Sequence, residues 1–291
     1  MLPRSFLFVP ATSDRKIDKA YASDADAVIV DLEDSVALSE KGNARTALDA
    51  ILNVKRSKPT WIRVNAMDTL YGYEDLLAIT RIGVNGIILP KVESAEQVRA
   101  VDWVMSSLER QLSLSHGAIE IMAIVETAKG LIHVNDIAAS NPRLRRLMFG
   151  AVDLAADLAI SLDDDAGATS QARFAIACAS RAANLIAPAD TAYTEITNLD
   201  GLRKTTERAR ALGYIAKACI HPSQIQTVNS VFSPSETDIS WAHRVLKAFT
   251  EAEKAGLAVV QLDGEMLDYP VAEKARKILQ QQRITLNFFS D

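Results

Sequence analysis

Short apolar runs and longer amphipathic stretches alternate along most of the chain. The runs are SFLFV (5–9), DAVIVDLED (26–34), TWIRVN (60–65), NGIILPK (85–91), EIMAIVE (120–126), RLMFGAVD (146–153), APADTAY (187–193) and YIAKACIHP (214–222). Such a run, bounded by polar residues, reads as a strand buried on both faces. Segments rich in Ala, Leu, Arg and Glu lie between them at 14–22, 39–53, 72–82, 94–112, 129–139, 170–186 and 199–212, and these predict helices. Eight strand signals alternating with helices predict a parallel (β/α)8 barrel, and an open doubly wound sheet gives the same alternation.

The polar residues separate the two architectures. Seven of the runs end in a functional group: Asp31, Glu33 and Asp34; Arg63 and Asn65; Lys91; Glu126; Asp153; Asp190; and Lys217 or His221. A barrel gathers the carboxyl ends of all its strands on one face, where an active site is built, so this distribution favours the closed form. After Pro222 the alternation stops. Residues 235–255 read as one long helix capped by Ser235, and a connector leads to a last helix at about 271–282. The expected organisation is a TIM-type barrel over 1–232 and a C-terminal helical extension over 233–291, acting as a lid or oligomer contact.

Hydrophobic content of 48% and charged content of 24% suit a soluble globular chain, and the net charge of −5 argues against a general nucleic-acid surface. A local basic pocket for a phosphorylated ligand is compatible with that balance. The two cysteines, Cys178 and Cys219, are far apart without metal-ligand spacing, and both are expected to be buried small apolar residues. The apolar run at 6–9 is short for a signal-peptide core and no run approaches the ~18 residues of a membrane span, so the expected location is the cytoplasm, without a membrane partner.

Glu126 and Asp153 end consecutive strand signals. Two carboxylates with no His or Cys nearby suit a hard, oxygen-preferring cation, namely magnesium; the alternative is that each caps the following helix. Arg63 suits a carboxylate or an enolate oxyanion, or else a structural ion pair with Glu33 or Asp34. Arg15, Lys16 and Lys19 stand at the start of a helix, where cations oppose the macrodipole unless an anion is bound; a solvated charged face is the competing reading. His221, held extended by Pro222, reads as structural.

Taken in order, RSFLFVPA, ADAVIVDLEDSV, KGNARTAL, WIRVN, GIILPKVES, IVETAKGL, FGAVDLAADL, LGYIAKACIHPSQI and DGEMLDYP resemble the citrate lyase β-subunit-like proteins of the HpcH/HpaI aldolase and citrate lyase family. The resemblance spans nearly the whole chain. It implies Glu126 and Asp153 as magnesium ligands and Arg63 as a substrate-binding, charge-stabilising group. It further implies Asp190 as a contact to the substrate or its thioester arm, and Arg15 and Lys19 as holders of the coenzyme A phosphates. Asp268, in MLDYP, matches an acid/base contributed by the extension of a neighbouring subunit; from the residues alone it reads as a helix cap near Pro270.

The implied activity is magnesium-dependent carbon–carbon cleavage of a 3-hydroxyacyl-CoA, of the citramalyl-CoA, malyl-CoA or citryl-CoA type, to a 2-keto acid and acetyl-CoA. The alternatives are a citrate lyase β-subunit acting on an acyl-carrier-protein thioester within a complex, and a metal-dependent aldolase of free hydroxy-keto acids. A homotrimer, or a hexamer built from it, is the implied assembly.

Overall fold

The computed structural model describes residues 2–81, 83–162 and 167–286. Two compact units divide the chain, one from Pro3 to Asn229 and one from Ser230 onward that includes Leu2. In the first, eight parallel strands close into a barrel in chain order: β1 Ser5–Pro10, β2 Ala27–Asp31, β3 Thr60–Arg63, β4 Gly86–Leu89, β5 Glu120–Val125, β6 Leu144–Phe149, β7 Ile186–Asp190 and β8 Ala216–Cys219. The closed barrel is the predicted fold.

Several element bounds differ from those expected. The predicted sixth strand stops at Phe149, because Gly150 caps the helix Ala151–Asp157 and carries Asp153 into its first turn. The helix expected over 129–139 is two short ones, Ala128–Ile132 and Val134–Ala138, meeting at His133. There the His133 ring Nδ1 lies 3.0 Å from the Glu93 carbonyl oxygen.

Period-two alternation turns every second strand residue inward, and the register pairs Phe6 with Ala27, Trp61 with Gly86, Met122 with Arg146 and Ala189 with Ala216. With the stagger of about one residue per strand of such barrels, the inward residues sort into layers from alternate strands. Ala27, Gly86, Arg146 and Ala216 are lowest; Phe6, Trp61, Met122 and Ala189 lie above them; Ile29, Ile88, Met148 and Ala218 come next. The barrel is therefore a packed core, and the next layer, with Phe8, Arg63, Ile124 and Thr191, opens into the mouth.

Behind the amino-terminal ends, Arg143 ties the wall together. Its guanidinium donates to both Glu109 carboxylate oxygens (2.6 and 2.8 Å), to Asp102 and to the Ile119 carbonyl. Burial opposes charge on Glu109, yet Arg143 and the backbone N–H groups of Gly117 and Ile119 hold its carboxyl below the usual range.

In the second unit the helix Glu236–Lys254 is capped by Ser235, as predicted, and Asp238 completes a reciprocal capping box. The connector is an antiparallel hairpin, β9 Val260–Leu262 with β10 Glu265–Leu267. Asp263 (φ 54°) and Gly264 (φ 87°) turn it, the residue pair favoured where two consecutive positive φ angles are needed. The helix Tyr269–Leu286 follows, and Ala242, Val245, Leu267 and Ala275 form the unit's core.

Arg143→Ala leaves Glu109 buried and uncompensated. The variant is expected to lose on the order of 3–5 kcal/mol of unfolding free energy in a urea titration; a loss below about 1 kcal/mol would contradict this role for the network.

Candidate active site at the barrel mouth

The carboxyl ends of the strands enclose a cavity of about 390 Å³ whose lining includes Asp31, Asp34, Arg63, Glu126, Asp153 and Thr191. The register places Asp31 directly beside Arg63. Arg63 donates from Nε and Nη2 to the two carboxylate oxygens of Asp31, each at 2.6 Å, and its Nη1 donates to Asp34 at 3.1 Å and lies 2.9 Å from Glu33. The ring of Phe8 lies under the guanidinium, 4.8 Å away. Asp31 also accepts from the backbone N–H groups of Glu33 (3.0 Å) and Ser35 (3.1 Å). Burial disfavours its charge, but Arg63 and these donors outweigh that and hold the carboxyl below the usual range. The buried Lys41 ammonium fastens the same loop from behind, donating to the carbonyls of Leu32 (2.8 Å) and Glu33 (2.7 Å).

Glu126 follows β5 directly and is only 4% exposed. One carboxylate oxygen accepts from the Lys91 backbone N–H at 2.8 Å, and Lys91 itself has a left-handed φ of 51°. The other oxygen lies against Gly150: a Cβ there would stand 2.4 Å from Oε2, so only glycine leaves room for this side chain. Burial, followed by the charges of Asp153 and Glu33, pushes the Glu126 pKa up to about 8. Glu33 is raised to about 7, chiefly by burial, with Arg63 pulling the other way and Asp34 adding to the rise.

Asp190 has a different place. Ala189 faces the barrel core, so the next residue along the strand points outward toward the helices. There the fully buried Asp190 accepts from Arg173 Nε at 2.7 Å and from the Lys217 ammonium. Burial opposes its ionisation, and these two cations keep its carboxyl below the usual range. Asp190 is not among the residues lining the mouth; Arg173 and Lys217 line a smaller adjoining cavity of about 100 Å³. Asn65 is likewise buried, donating to Asp75 (2.6 Å) and to the Leu32 carbonyl (3.0 Å). His221 caps a short turn, its Nδ1 accepting from the Ser223 N–H.

Arg15 and Lys19 are exposed on the helix Asp14–Ala22. Asp268 belongs to the second unit, where its carboxylate accepts from the Val271 N–H at 3.2 Å as a helix cap. Cys219 is buried as expected, but Cys178 is exposed, because it lies on the outward face of the helix Gly167–Ala182 with the exposed Phe174 one turn before it. Lys41, Gly150 and Arg173 shape the site without having been singled out in the sequence. Of these, Gly150 alone carried a usable signal, standing between an apolar run and an acidic helix start.

Residues 4–222 match the HpcH/HpaI aldolase/citrate lyase family, and residues 169–285 match a family of C–C bond lyases of the TIM-barrel fold. The chain belongs to the HpcH/HpaI aldolase/citrate lyase family. It is 32% identical to the citrate lyase subunit beta of Haemophilus influenzae over 97% of each chain. Against a (3S)-malyl-CoA thioesterase of Cereibacter sphaeroides it is 34% identical over 95% of this chain and 93% of that one. The protein CitE of Mycobacterium tuberculosis, solved in complex with magnesium, acetoacetate and coenzyme A, superposes with a TM-score of 0.80 at 32% identity, covering 96% of this chain and 97% of that one.

Within this family member's mouth, the carboxylates of Asp31, Glu33, Asp34, Glu126 and Asp153 outnumber the facing cations Arg63 and Lys91. Among the described residues no cluster of three or more His, Cys, Asp or Glu has the geometry of a metal cage. Magnesium needs only one or two carboxylates, completed by water and substrate oxygens, and Glu126 with Asp153 has that donor set.

The raised values set a pH dependence. A carboxyl whose folded pKa lies above its unfolded value stabilises fully below the unfolded value and loses that contribution as pH rises through the folded one. For Glu126 the window runs from 4.5 to about 8. In chelator, the wild-type protein is expected to lose on the order of 2–4 kcal/mol of stability across that window relative to Glu126→Gln. Parallel stability–pH curves for the two proteins would contradict this.

Proposed function

We propose that the chain is a magnesium-dependent carbon–carbon lyase that cleaves a 3-hydroxyacyl-CoA thioester into a 2-keto acid and acetyl-CoA. The candidate substrates are of the citramalyl-CoA, malyl-CoA and citryl-CoA types. The observation that carries this reading is the buried Glu126 beside Asp153 in a mouth where carboxylates outnumber cations. The relative solved with magnesium and coenzyme A supports it.

Glu126 and Asp153 would hold the magnesium ion, which supplies Lewis-acid polarisation of the oxygen that becomes the keto group. Arg63 cannot swing freely, because Asp31 grips two edges of its guanidinium. That pre-organisation suits it to the negative charge that develops on the thioester oxygen as the bond breaks. The hydroxyl proton passes to water in the mouth, the electron pair of the broken carbon–carbon bond becomes the enolate of the acetyl thioester, and one proton added to the acyl carbon completes acetyl-CoA, so that protons balance overall. Asp268, from the extension of a neighbouring copy in a homotrimer or hexamer, would supply that proton. Arg15, in the first turn of the helix Asp14–Ala22, and Lys19, which the structure places in its last turn and not at its start, would bind the coenzyme A phosphates; both side chains are exposed. Asp190 would act on the thioester arm through Arg173 and Lys217. A cytoplasmic location is part of the same proposal; among the described residues no helix is long and apolar enough to cross a membrane.

Two further readings rest on the relatives. The likeness to citrate lyase beta subunits over the full chain favours an acyl-carrier-protein thioester within a complex as the second substrate class. The likeness to a thioesterase raises hydrolysis of the same kind of thioester.

The purified protein should be given citramalyl-CoA, malyl-CoA and citryl-CoA in turn, with magnesium and with chelator. Magnesium-dependent release of a 2-keto acid and acetyl-CoA from one of them is expected, with Glu126→Gln and Asp268→Asn each lowering kcat by about 100-fold or more. Release of free coenzyme A and an intact hydroxy acid would transfer the proposal to hydrolysis. Undiminished cleavage in chelator and by both variants would overturn the assignment.

A further inference from the structure

Arg146 lies at the end of the barrel opposite the mouth, on the inward face of β6 in the lowest core layer. It is 2% exposed, and Nη1 alone has a partner, the Pro3 carbonyl at 3.4 Å. Nε and Nη2 are buried with no hydrogen-bond partner among the described residues. The ring of Phe6, 5.5 Å away, stabilises a cation without neutralising it. Nearby cations at this end have acidic partners: Arg4 pairs with Asp26, Arg143 with Asp102 and Glu109, and Arg145 lies 3.7 Å from Glu120. Glu120 makes no ion pair with Arg146 among the described residues.

A guanidinium keeps its proton at neutral pH, and an unpaired charge of this kind is strongly destabilising inside a protein. Water satisfies donors but leaves the charge in place; an anion does both. The residues sharing this layer, Ala27, Gly86 and Ala216, have little or no side chain, so Arg146 is the one large group among four. The ring of Trp61 takes the space over Gly86. Packed layers separate this point from the mouth, so the ligand is no part of the substrate.

We propose that the floor of the barrel binds a small monovalent inorganic anion, of the chloride or nitrate class, through Nε and Nη2 of Arg146. The ion is structural: it neutralises the charge that the small-residue layer admits.

The test compares thermal unfolding of the full chain in sodium chloride and in sodium gluconate at equal ionic strength. Wild type is expected to melt on the order of 5 °C higher in chloride, with bromide or nitrate restoring the gain. Arg146→Met is expected to show no such gain and to melt no lower than wild type in gluconate, because the buried charge is gone. Equal wild-type melting in both salts, or the same chloride gain in Arg146→Met, would overturn the proposal. Crystals of wild type grown in bromide give an independent reading that needs no variant. An anomalous peak beside Nε and Nη2 supports the anion, and water density alone there overturns it.

Discussion

Negative charge at the carboxyl ends of β2, β5 and β6 exceeds the positive charge facing it, and most of the local architecture manages that excess. Asp31 is neutralised by the two-pronged grip of Arg63 and by two backbone N–H groups. Glu33 and Asp34 share what remains of the same guanidinium, and Lys41 pins the loop that carries them. Glu126 receives one N–H from a strained Lys91 and is pressed against Gly150, with no ion pair among the described residues. Burial and the neighbouring carboxylates make its ionised form costly in the free protein. A divalent cation inverts that balance, which is why the site reads as built for one.

Much of this was legible in the sequence because strand ends are polar interruptions of apolar runs. Glu126, Asp153, Arg63 and the acidic cluster after β2 were all found that way. Their pairing was not, since only the register sets Asp31 against Arg63, and register is a long-range property of two strands some thirty residues apart. Asp190 shows the limit most clearly. Its run, APADTAY, gives no phase for the alternation, and the choice of Ala189 as the core-facing residue sends the carboxylate to the outer side of the sheet. A one-residue difference in phase separates a group in the mouth from one beneath the helices. Cys178 departs from expectation for a related reason: composition predicts a buried cysteine, but helix phase puts this one outward.

The two ends of the barrel divide their labour. At the floor, Arg143 with its acidic partners closes the wall, and the core layers above are filled by aromatic, isoleucine, methionine and alanine side chains. At the mouth the same strands end in charges, and the helix that follows β6 brings Asp153 toward Glu126 because Gly150 ends the strand there. The second unit presents Asp268 at the start of its last helix, a capping position that keeps the carboxylate half-exposed. A capping carboxylate still has lone pairs to spare for chemistry, so the two readings of this residue do not exclude each other.

The central claim, that Glu126 and Asp153 hold a divalent cation, is tested most directly by crystallography of the protein with manganese replacing magnesium, using the anomalous signal of the metal. The account predicts a single strong peak in the mouth, within about 2.0–2.3 Å of a carboxylate oxygen from each of Glu126 and Asp153, and its loss in Glu126→Gln. A peak elsewhere, or an unchanged peak in that variant, would contradict it.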